Sequence, residues 1–468
     1  MVKTVISTSE FQAQVSDLLP CNKCRKSQLT HALIQSFSLL DGFDKIIRYP
    51  ICSKKDILQF HTAAYADAIL NERLNRVLPS AEDESEWSQL PDLASCWNGR
   101  ETNRSAWFES RLKLYSKFKA AEKTAIVVSR KRSAWDALLE DDSHGEDYGE
   151  DKKIDPEDLK KYNLEGDCPM FSYLPMYCQV VTGATLALAD EAVRGEKSIS
   201  INWDGGRHHA FKQKASGFCY VNDIVLLIQK LRSQGFESIS YVDFDLHHGD
   251  GVEKAFQYSK HVQTISLHMF EAGFFPGTGS LQNNSRGSNV VNIPLLHGLD
   301  DMLLDQLVGK LVKPLLKKHR PEALIIQCGG DGLMGDGFNE WQLSIRQLAK
   351  CIVNLASLFE NVPVFLLGGG GYNETLMSRF YAYLTYKILR KFSLKQIPNF
   401  DFDTDALIPD HEFVEAYAHE GYKFWAYEQE GGLRKKHLKN DNNPELLTLL
   451  QNHYNVKLDS DDNISENS

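Results

Sequence analysis

The sequence predicts an α/β fold with an open, mostly parallel central sheet flanked by helices. Beyond residue 167, short β-branched and apolar runs alternate with loops and helical patterns, which is typical of parallel α/β sheets. Five of these runs lead into polar or glycine-rich loops, and open α/β sheets place their functional sites at the carboxyl ends of strands. The 468 residues, 42% of them hydrophobic, are enough to build the core of one large domain.

The predicted strands are recognised by β-branched and aromatic runs that are followed by glycine, aspartate or histidine. They cover residues 198–203, 239–244, 262–267, 323–328 and 362–367. Each loop alone is a weak signal, because a glycine-rich loop after a strand is usually only a tight turn. The glycine run at 368–371 also lacks the Lys-Ser/Thr ending of a nucleotide-binding loop. The convergence of several such strand ends predicts a functional site at one edge of the sheet.

The strand end within residues 239–251 concentrates ionisable side chains and predicts a metal site. Residues two apart on a strand share a face, so Asp243, Asp245 and, in an extended chain, His247 are expected to point the same way. Burying carboxylates without partners is unfavourable by several kcal/mol, and a divalent ion offsets that cost. The alternative is a solvated loop rich in Asp and His, which the alternation of apolar residues and aspartates argues against.

A third metal ligand is expected from a neighbouring strand end, where Asp331 follows a double glycine. Three oxygen and nitrogen ligands leave positions open for water and substrate, as catalytic zinc requires. His208 and His209 follow another Gly-Gly turn and are expected to face the same cavity, one as general base and one holding or polarising the water. Asp243 and Asp250 are the carboxylates expected to orient them. Taken alone, a His-His pair is also compatible with a surface turn.

The remaining segments are interpreted as scaffold, an insertion and a tail. Apolar residues at helical spacing mark 29–43, and Ser53 is the expected N-cap of a helix. Between about residues 80 and 157, acidic runs flank a basic amphipathic piece, which predicts an inserted helical and acidic segment within a catalytic domain spanning 1–457. Residues 458–468 are acidic and rich in Ser and Asn, so they are predicted to be disordered.

The amino-acid composition limits which binding partners and which cellular compartment are expected for this protein. The net charge of −11 argues against direct nucleic-acid binding and suits a basic peptide or protein partner. Nine cysteines without a regular framework predict reduced thiols in a cytosolic or nuclear setting. Cys21 and Cys24 form one CxxC pair, which is a weak signal for zinc. The sequence begins without a signal-peptide pattern and contains no apolar run of transmembrane length, so we expect an intracellular protein with no membrane partner.

Six motifs carry a family resemblance. They are Gly-Asp-Cys-Pro at 166–169, Gly-Gly-Arg-His-His-Ala at 205–210, Ala-Ser-Gly-Phe-Cys-Tyr-Val-Asn-Asp at 215–223, Asp-Phe-Asp-Leu-His-His-Gly-Asp-Gly at 243–251, the turn-rich 273–279 and the glycine run with its tyrosine at 367–372. With them the chain resembles class I-type histone deacetylases of the zinc-dependent arginase/deacetylase superfamily, close to the fungal Hos-type members. The resemblance covers residues 25–80 and 160–450 in the family's order.

The resemblance implies a zinc-dependent enzyme that removes acetyl groups from lysine. Zinc would be held by Asp245, His247 and Asp331, with His208 and His209 as the acid/base pair and Asp243 and Asp250 behind them. Tyr372 would donate its hydroxyl to the scissile carbonyl. The implied substrate-binding residues are Asp167 at the rim, Gly217, Phe218 and Phe275 in the lysine tunnel, and Gly370. The implied structural potassium site comprises the backbone carbonyls of Asp243, Asp245, His247 and Leu267, with Ser266.

Four positions depart from the family pattern. Arg207 stands where the family has a large apolar residue before the His pair, and Lys26 aligns with the usual arginine of the internal channel. We expect Arg207 either to take part in handling the acetate product or to form a structural salt bridge. Gly337 and Thr375 replace arginines that bind inositol phosphate in co-repressor-bound members, which argues against that partnership.

The implied partners are acetylated histone tails or other chromosomal proteins, together with subunits of a chromatin complex. The implied location is the nucleus, with the cytoplasm as a second compartment. Three alternatives remain. A ureohydrolase of the same superfamily would need further Asp and His ligands for two manganese ions, and a silent acetyl-lysine reader would be expected to lack Tyr372, the His pair or a metal ligand. An acetylpolyamine amidohydrolase is the nearest rival.

Overall fold

The computed structural model describes residues 2–22, 25–48, 50–71, 156–171, 173–282, 289–400, 402–403, 405–428 and 437–456. The predicted insertion lies outside these residues except at its end, where a helix begins at Pro156. Cys24 and the predicted tail at 458–468 also lie outside them. The domain boundaries therefore stay predictions.

Eight parallel strands form one open sheet within the described part of the chain, in the order β2-β1-β3-β8-β7-β4-β5-β6. The strands are β1 Lys3–Ser7, β2 Lys45–Ile47, β3 Ser198–Asn202, β4 Ile239–Asp243, β5 Val262–Met269, β6 Val290–Leu295, β7 Ala323–Gln327 and β8 Val364–Leu367. The predicted fold class, an open parallel sheet flanked by helices, is confirmed.

Helices connect and cover the strands. They are α1 Glu10–Ser16, α2 Lys26–Ser36, α3 Lys54–Ile57, α4 Ala63–Ile69, α5 Pro156–Lys161, α6 Leu174–Ala189, α7 Asp223–Ser233, α8 Asp250–Phe256, α9 Asp301–Leu307, α10 Lys313–His319, α11 Ile345–Ala356, α12 Glu374–Phe392 and α13 Leu446–His453. A π-helical segment, Val308–Val312, joins α9 to α10, and 3₁₀ turns occupy Leu39–Gly42 and Val414–Glu420. No described helix is long and apolar enough to cross a membrane.

The structure tests two predictions about helices, the N-cap at Ser53 and the helical pattern at 29–43. Ser53 caps α3 as predicted and forms a capping box with Asp56, so both side chains satisfy backbone donors at the helix start. The helical pattern at 29–43 is divided between α2 and a 3₁₀ turn. Ser38 adopts a left-handed conformation with φ of 53°, which interrupts the helix.

The sheet is buried on both faces, as parallel sheets require. Along β4, Tyr241 packs into the apolar cluster on one face and Val242 into the cluster on the other. Ile325 and Ile326 divide in the same way along β7. This alternation follows from the two-residue period of a strand. Because both faces are covered, the site can form only at the edge where the strands end.

Three strands were not predicted from sequence, namely β1, β2 and β6. β2 has three residues and is a sheet edge, with Lys45 exposed. β6 contains Pro294, which lacks a backbone donor and lowers the strand signal, and it too lies at an edge of the sheet. β1 carries polar residues that are buried only because helices cover them. Their pairing in the sheet, rather than composition, makes these segments strands.

Five strand ends lie side by side where the predicted site should be. Asn202, Leu367, Gln327, Asp243 and Ser266 are successive partners across β3, β8, β7, β4 and β5. The motif loops therefore all begin at one edge of the sheet. β4 ends at Asp243, one residue earlier than predicted, so the condition that the chain stays extended through His247 is not met. The position of His247 is instead fixed by the loop that follows.

Candidate active site

Three buried side chains form a candidate metal centre. One ligand-type atom each from Asp245, His247 and Asp331 lies within 4.8 Å of the other two. His247 Nδ1 is 2.9 Å from Asp331 Oδ2 and 3.2 Å from Asp245 Oδ1. Burial, and then the neighbouring charge of Asp245, raises the pKa of Asp331 to about 7. Two buried carboxylates and an imidazole at this spacing are donors that suit a divalent cation.

Each candidate ligand is oriented by a second group. Asp245 Oδ2 accepts hydrogen bonds from Gln327 Nε2 at 2.7 Å and from the backbone N–H of Gly370 at 2.8 Å. Asp331 Oδ1 accepts from the backbone N–H of Leu246 at 2.8 Å. The His247 ring stacks on Phe274, with centroids 5.2 Å apart. One oxygen of each carboxylate is thereby fixed while the other faces the shared centre, which is the arrangement of an oriented metal site.

The two adjacent histidines are each paired with a carboxylate, as predicted. His208 Nδ1 is 2.8 Å from Asp243 Oδ2, and His209 Nδ1 is 2.7 Å from Asp250 Oδ1. Both rings are buried, with centroids 3.9 Å apart. When each Nδ1–H donates a hydrogen bond to its carboxylate, each Nε2 has a free lone pair and can accept a proton. His208 Nε2 lies 3.8 Å from Asp245 Oδ1, so it faces the candidate metal ligands.

The two imidazoles have opposite electrostatic environments. Burial lowers the pKa of His208, but the charges of Asp243 and Asp245 outweigh it and raise the pKa to about 9. Burial and the neighbouring His208 charge lower the pKa of His209 to about 4. A cation at the candidate centre would offset the negative charge of Asp245 and so weaken its support for protonated His208.

The two histidines and the candidate ligand Asp245 open into one cavity. His208, His209, Asp245, Gly370 and Tyr372 line it. No hydrogen-bond partner for the Tyr372 hydroxyl is found in the described part of the chain, and burial raises the pKa of the phenol well above its usual value. Tyr372 is therefore a protonated donor at neutral pH that faces the same space as the histidines.

The comparisons with known proteins agree with this site. A profile of the histone deacetylase domain matches residues 19–388. The chain is 50% identical over 478 aligned positions to histone deacetylase HOS1 of Saccharomyces cerevisiae, covering 97% of this chain and all of the relative. It is 41% identical over 254 residues to histone deacetylase 8 of Xenopus laevis, covering 54% of this chain and 77% of the relative. The chain belongs to the histone deacetylase family.

The enzyme is accordingly a lysine deacetylase, a hydrolase that acts on acetyl-lysine amides. Histone deacetylases are generally zinc-dependent, and the candidate metal centre of this deacetylase has the donors that such an ion takes. The acetylpolyamine alternative is not favoured by these relatives.

The predicted lysine tunnel of this histone deacetylase is lined by aromatic rings. Phe275 is 42% exposed, and its ring lies edge-to-face with His209 at a centroid separation of 5.0 Å. Phe218 lies edge-to-face with Tyr372 at 6.0 Å. Gly217 has a left-handed φ of 52°, and a Cβ there would lie 2.3 Å from His209 Cδ2. The structure thus brings these predicted residues together beside the histidines.

Asp167 lies next to this tunnel in the deacetylase. Its Oδ2 accepts a hydrogen bond from the backbone N–H of Gly217 at 2.7 Å, and its Oδ1 accepts from Asn163 Nδ2 at 3.0 Å. The carboxylate therefore supports the loop that carries Phe218. Its predicted contact with the substrate backbone stays a prediction.

The predicted potassium ligands of the deacetylase lie on adjoining strand ends. Asp243 and Ser266 are partners in the β4–β5 pairing, and Leu267 follows Ser266 on β5. The Ser266 hydroxyl is 2.9 Å from His268 Nδ1. The potassium site itself stays a prediction.

Neither unusual cation forms a salt bridge within the described residues of this deacetylase. Arg207 Nη2 donates to the backbone carbonyl of Asp204 at 3.1 Å, and its Nε is buried without a hydrogen-bond partner. Lys26 Nζ donates to the carbonyl of Gly369 at 2.9 Å. Both side chains line the cavity that contains the His pair. The structural salt bridge considered for Arg207 is therefore not found.

Thr375 occupies a polar cluster that contains an acidic partner. Its hydroxyl donates to Glu420 Oε1 at 2.5 Å, and Glu420 also pairs with buried Arg379 at 2.5 Å. The guanidinium of Arg379, which also donates to the backbone carbonyl of Thr375, is thus paired with a carboxylate. Thr375 supplies no positive charge for inositol phosphate, and the expected absence of that partnership stays a prediction.

Sequence analysis missed several residues that orient the site. Gln327 holds Asp245, Phe274 stacks on His247, and Asp336 accepts the backbone N–H of Tyr372 at 2.6 Å. Burial raises the pKa of Asp336 to about 6. Gln327 could have been found as the last polar residue of a buried strand. Asp336 gave no such signal, because it lies in an irregular loop.

Proposed function

We propose that this histone deacetylase uses zinc held by Asp245, His247 and Asp331 to hydrolyse acetyl-lysine in histones or other chromosomal proteins. The single observation that carries the mechanism is that Asp245 of this three-residue centre lines the same cavity as the paired histidines and Tyr372. Three protein ligands leave room for water and for the substrate carbonyl, which suits catalytic rather than structural zinc.

The ion would lower the pKa of a bound water toward neutrality and polarise the acetyl carbonyl. Gln327 and the backbone N–H of Gly370 keep the carboxylate of Asp245 oriented toward the centre. The backbone N–H of Leu246 does the same for Asp331. Because these donors are fixed by strand ends, the geometry needs little reorganisation when substrate arrives.

The histidines move the protons of the reaction. His208 Nε2 faces the ligand Asp245 and accepts the proton of the attacking water, while Asp243 holds Nδ1. His209, held by Asp250 and packed against Phe275, lies on the tunnel side. Because its pKa is lowered to about 4, it takes up a proton during the reaction before it protonates the departing lysine amine. The carboxylate partners fix the tautomer of each ring, so both Nε2 atoms are available to the reaction.

Tyr372 stabilises the charge that develops on the acetyl oxygen. Its hydroxyl has no partner within the described residues and is fully protonated at neutral pH, since burial raises its pKa. Asp336 fixes the backbone of Tyr372, and Phe338 packs edge-to-face on its ring at 5.0 Å. One such donor contributes about 10²–10³ in rate.

The substrate enters as a lysine side chain. Phe218, Phe275 and Gly217 form a narrow apolar passage that fits a methylene stem, and Asp167 stands at its rim. A net charge of −11 favours basic protein tails as partners. The same proposal includes a structural potassium ion held by Asp243, Asp245, His247, Ser266 and Leu267. It also includes a nuclear location, association with chromatin complex subunits and a role in transcriptional repression.

The test is metal reconstitution with matched variants. Chelator-stripped enzyme should be inactive on an acetyl-lysine histone-tail peptide, and one zinc per chain should restore turnover. Asp331→Asn should abolish zinc binding, whereas Asp305→Asn, at a surface carboxylate paired with Lys350, should not. Full turnover without metal, or faster hydrolysis of acetylated polyamine than of the peptide, would overturn the proposal. Acetyl-proteomics in cells that carry only Tyr372→Phe would identify the protein substrates.

A further inference from the structure

Two cationic side chains share the catalytic cavity. Lys26 is only 8% exposed, and Arg207 is half-buried, yet both line the cavity that His208, His209 and Tyr372 also line. The mechanism above uses neither cation. Burying a charge without a counter-ion is strongly unfavourable, so two such charges in one cavity require an explanation.

The hydrogen bonds of these two side chains go to neutral acceptors rather than to carboxylates. Lys26 Nζ and Arg207 Nη2 donate to the neutral carbonyls of Gly369 and Asp204, and Arg207 Nε is buried with no partner. No carboxylate of the described residues forms a salt bridge with either cation. The carboxylate of Asp223 is near Arg207 but accepts backbone donors, with Oδ1 accepting the N–H of Arg207 and Oδ2 that of Gly206. Although burial lowers the pKa of Arg207, the charge of Asp223 raises it without a direct side-chain contact. Burial and then the Arg207 charge lower the pKa of Lys26, while the more weakly acting carboxylates of Asp331 and Asp336 raise it.

The two cations line the same cavity as the reacting groups. Lys26 contacts the carbonyl of Gly369, and the next residue, Gly370, donates its backbone N–H to the metal ligand Asp245. Arg207 directly precedes His208. The lysine stem enters past half-exposed Phe275, so the acyl group of a bound substrate points away from that entrance. Lys26 and Arg207 line this cavity and Phe275 does not, so an acyl chain that extends into the cavity meets the two cations.

We propose that Arg207 and Lys26 bind a carboxylate at the end of the acyl chain, so that the enzyme also hydrolyses lysine amides of dicarboxylic acids such as succinyl-lysine and glutaryl-lysine. This rests on the proposed function, because it uses the same reacting centre. Water oxygen bonds to the acyl carbon, the carbon–nitrogen bond breaks, and the proton of the water goes to the lysine amine. A guanidinium fork matches a carboxylate, and the ammonium adds a second charge-assisted bond.

The test compares peptides that differ only at the end of the acyl chain. Succinyl-lysine carries a terminal carboxylate, and succinamoyl-lysine has the same size with a neutral amide. With zinc-loaded enzyme we expect kcat/KM for the succinyl peptide to exceed that for the succinamoyl peptide at least 10-fold, which is about 1.4 kcal/mol. Equal rates, or faster hydrolysis of the neutral peptide, would overturn the inference.

Variants separate a direct role of the cations from a general loss of activity. Arg207→Leu and Lys26→Met should each reduce the succinyl-to-succinamoyl ratio toward one while zinc content stays at one per chain. Arg207→Lys, which keeps the charge, should retain part of the preference, and Arg194→Leu, at an exposed arginine, should leave the ratio unchanged. A ratio unaffected by Arg207→Leu would refute the assignment. Arg207→Gln provides a second neutral variant if the leucine protein does not fold.

A binding measurement gives a readout that does not depend on turnover. By calorimetry on zinc-loaded Tyr372→Phe enzyme, the succinyl peptide should bind at least 10-fold more tightly than the succinamoyl peptide, and Arg207→Leu should remove the difference. Equal affinities would count against the inference. If the enzyme hydrolyses the acetyl peptide but does not prefer the succinyl peptide over the succinamoyl peptide, only the proposed carboxylate specificity is rejected. Failure on every acyl peptide would reject the proposed function itself.

Discussion

The side-chain amide of Gln327 donates a hydrogen bond to Oδ2 of Asp245 at 2.7 Å. The two residues are 82 positions apart in sequence, and the pairing of β7 with β4 brings them together. Gln327 also accepts the backbone N–H of Gly329 at 2.8 Å through Oε1, so its amide cannot flip without losing a bond. This residue therefore fixes both the candidate metal ligand and the turn that leads to Asp331.

Replacing this amide should weaken metal binding without removing a ligand. In Gln327→Met, Asp245 loses its side-chain donor, and we expect zinc affinity to fall about 10- to 100-fold. Zinc-buffered competition titration measures this directly. Gln347→Met, on the exposed face of α11, is the matched control and should leave affinity unchanged. Unaltered affinity in Gln327→Met would show that Gly370 alone orients the carboxylate.

Tyr372→Phe should keep zinc and the fold but reduce kcat by about 10²–10³, since only a donor to the developing oxyanion is removed. KM should change little, because the ring and its contacts with Phe218 and Phe338 remain. Steady-state kinetics on an acetyl-lysine peptide, with zinc content determined in parallel, provides the check. A kcat close to that of the parent enzyme would mean that another group polarises the carbonyl.

Gly217→Ala should impair catalysis through His209. The glycine has a left-handed φ of 52°, which disfavours alanine, and a Cβ would lie 2.3 Å from His209 Cδ2. Displacing the ring breaks its alignment with Asp250, so we expect kcat to fall about 10-fold or more while zinc remains bound. Gly309→Ala is the control, because no atom lies within 4 Å of the added Cβ. Equal activity of the two variants would contradict this account.

Glu428 should make stability depend on pH. Burial raises its pKa to about 7, although it accepts the backbone N–H of Ile345 at the start of α11 and lies 3.9 Å from Arg346 Nε. Between the usual value of about 4.3 and 7, the folded state keeps a proton that the unfolded state has lost, so the free energy of unfolding falls as pH rises. This contribution is present at low pH and is lost by pH 8.

Glu428→Gln removes the titration and keeps an oxygen acceptor for Ile345. Relative to the parent enzyme, the variant should gain up to about 3 kcal/mol in unfolding free energy between pH 5 and pH 8. Denaturant unfolding at the two pH values, with metal content matched, measures the difference. A relative stability that does not change with pH would show that Glu428 is ionised in the folded protein throughout this range.

The sequence by itself determined the class of fold and the chemical groups of the site. Buried β-branched runs that end in polar loops predicted a parallel sheet, and Asp245, His247 and Asp331 were recognised because their types and positions suit a catalytic metal. Asp243 and Asp250 were expected to orient the two histidines, and the structure assigns Asp243 to His208 and Asp250 to His209. These inferences succeeded because strand ends of a parallel sheet meet at one edge, so residues far apart in sequence converge by a general rule.

The tertiary structure alone decided which strands complete the sheet, which residues hold the ligands and which charges lack partners. β1, β2 and β6 carry weak local signals and are strands because neighbours pair with them. Gln327 and Asp336 orient the site through contacts that cross the sheet. Whether Arg207 forms a salt bridge depends on every side chain that surrounds it in space. Periodicity and residue type carry local information, whereas pairing and neutralisation are properties of long-range packing.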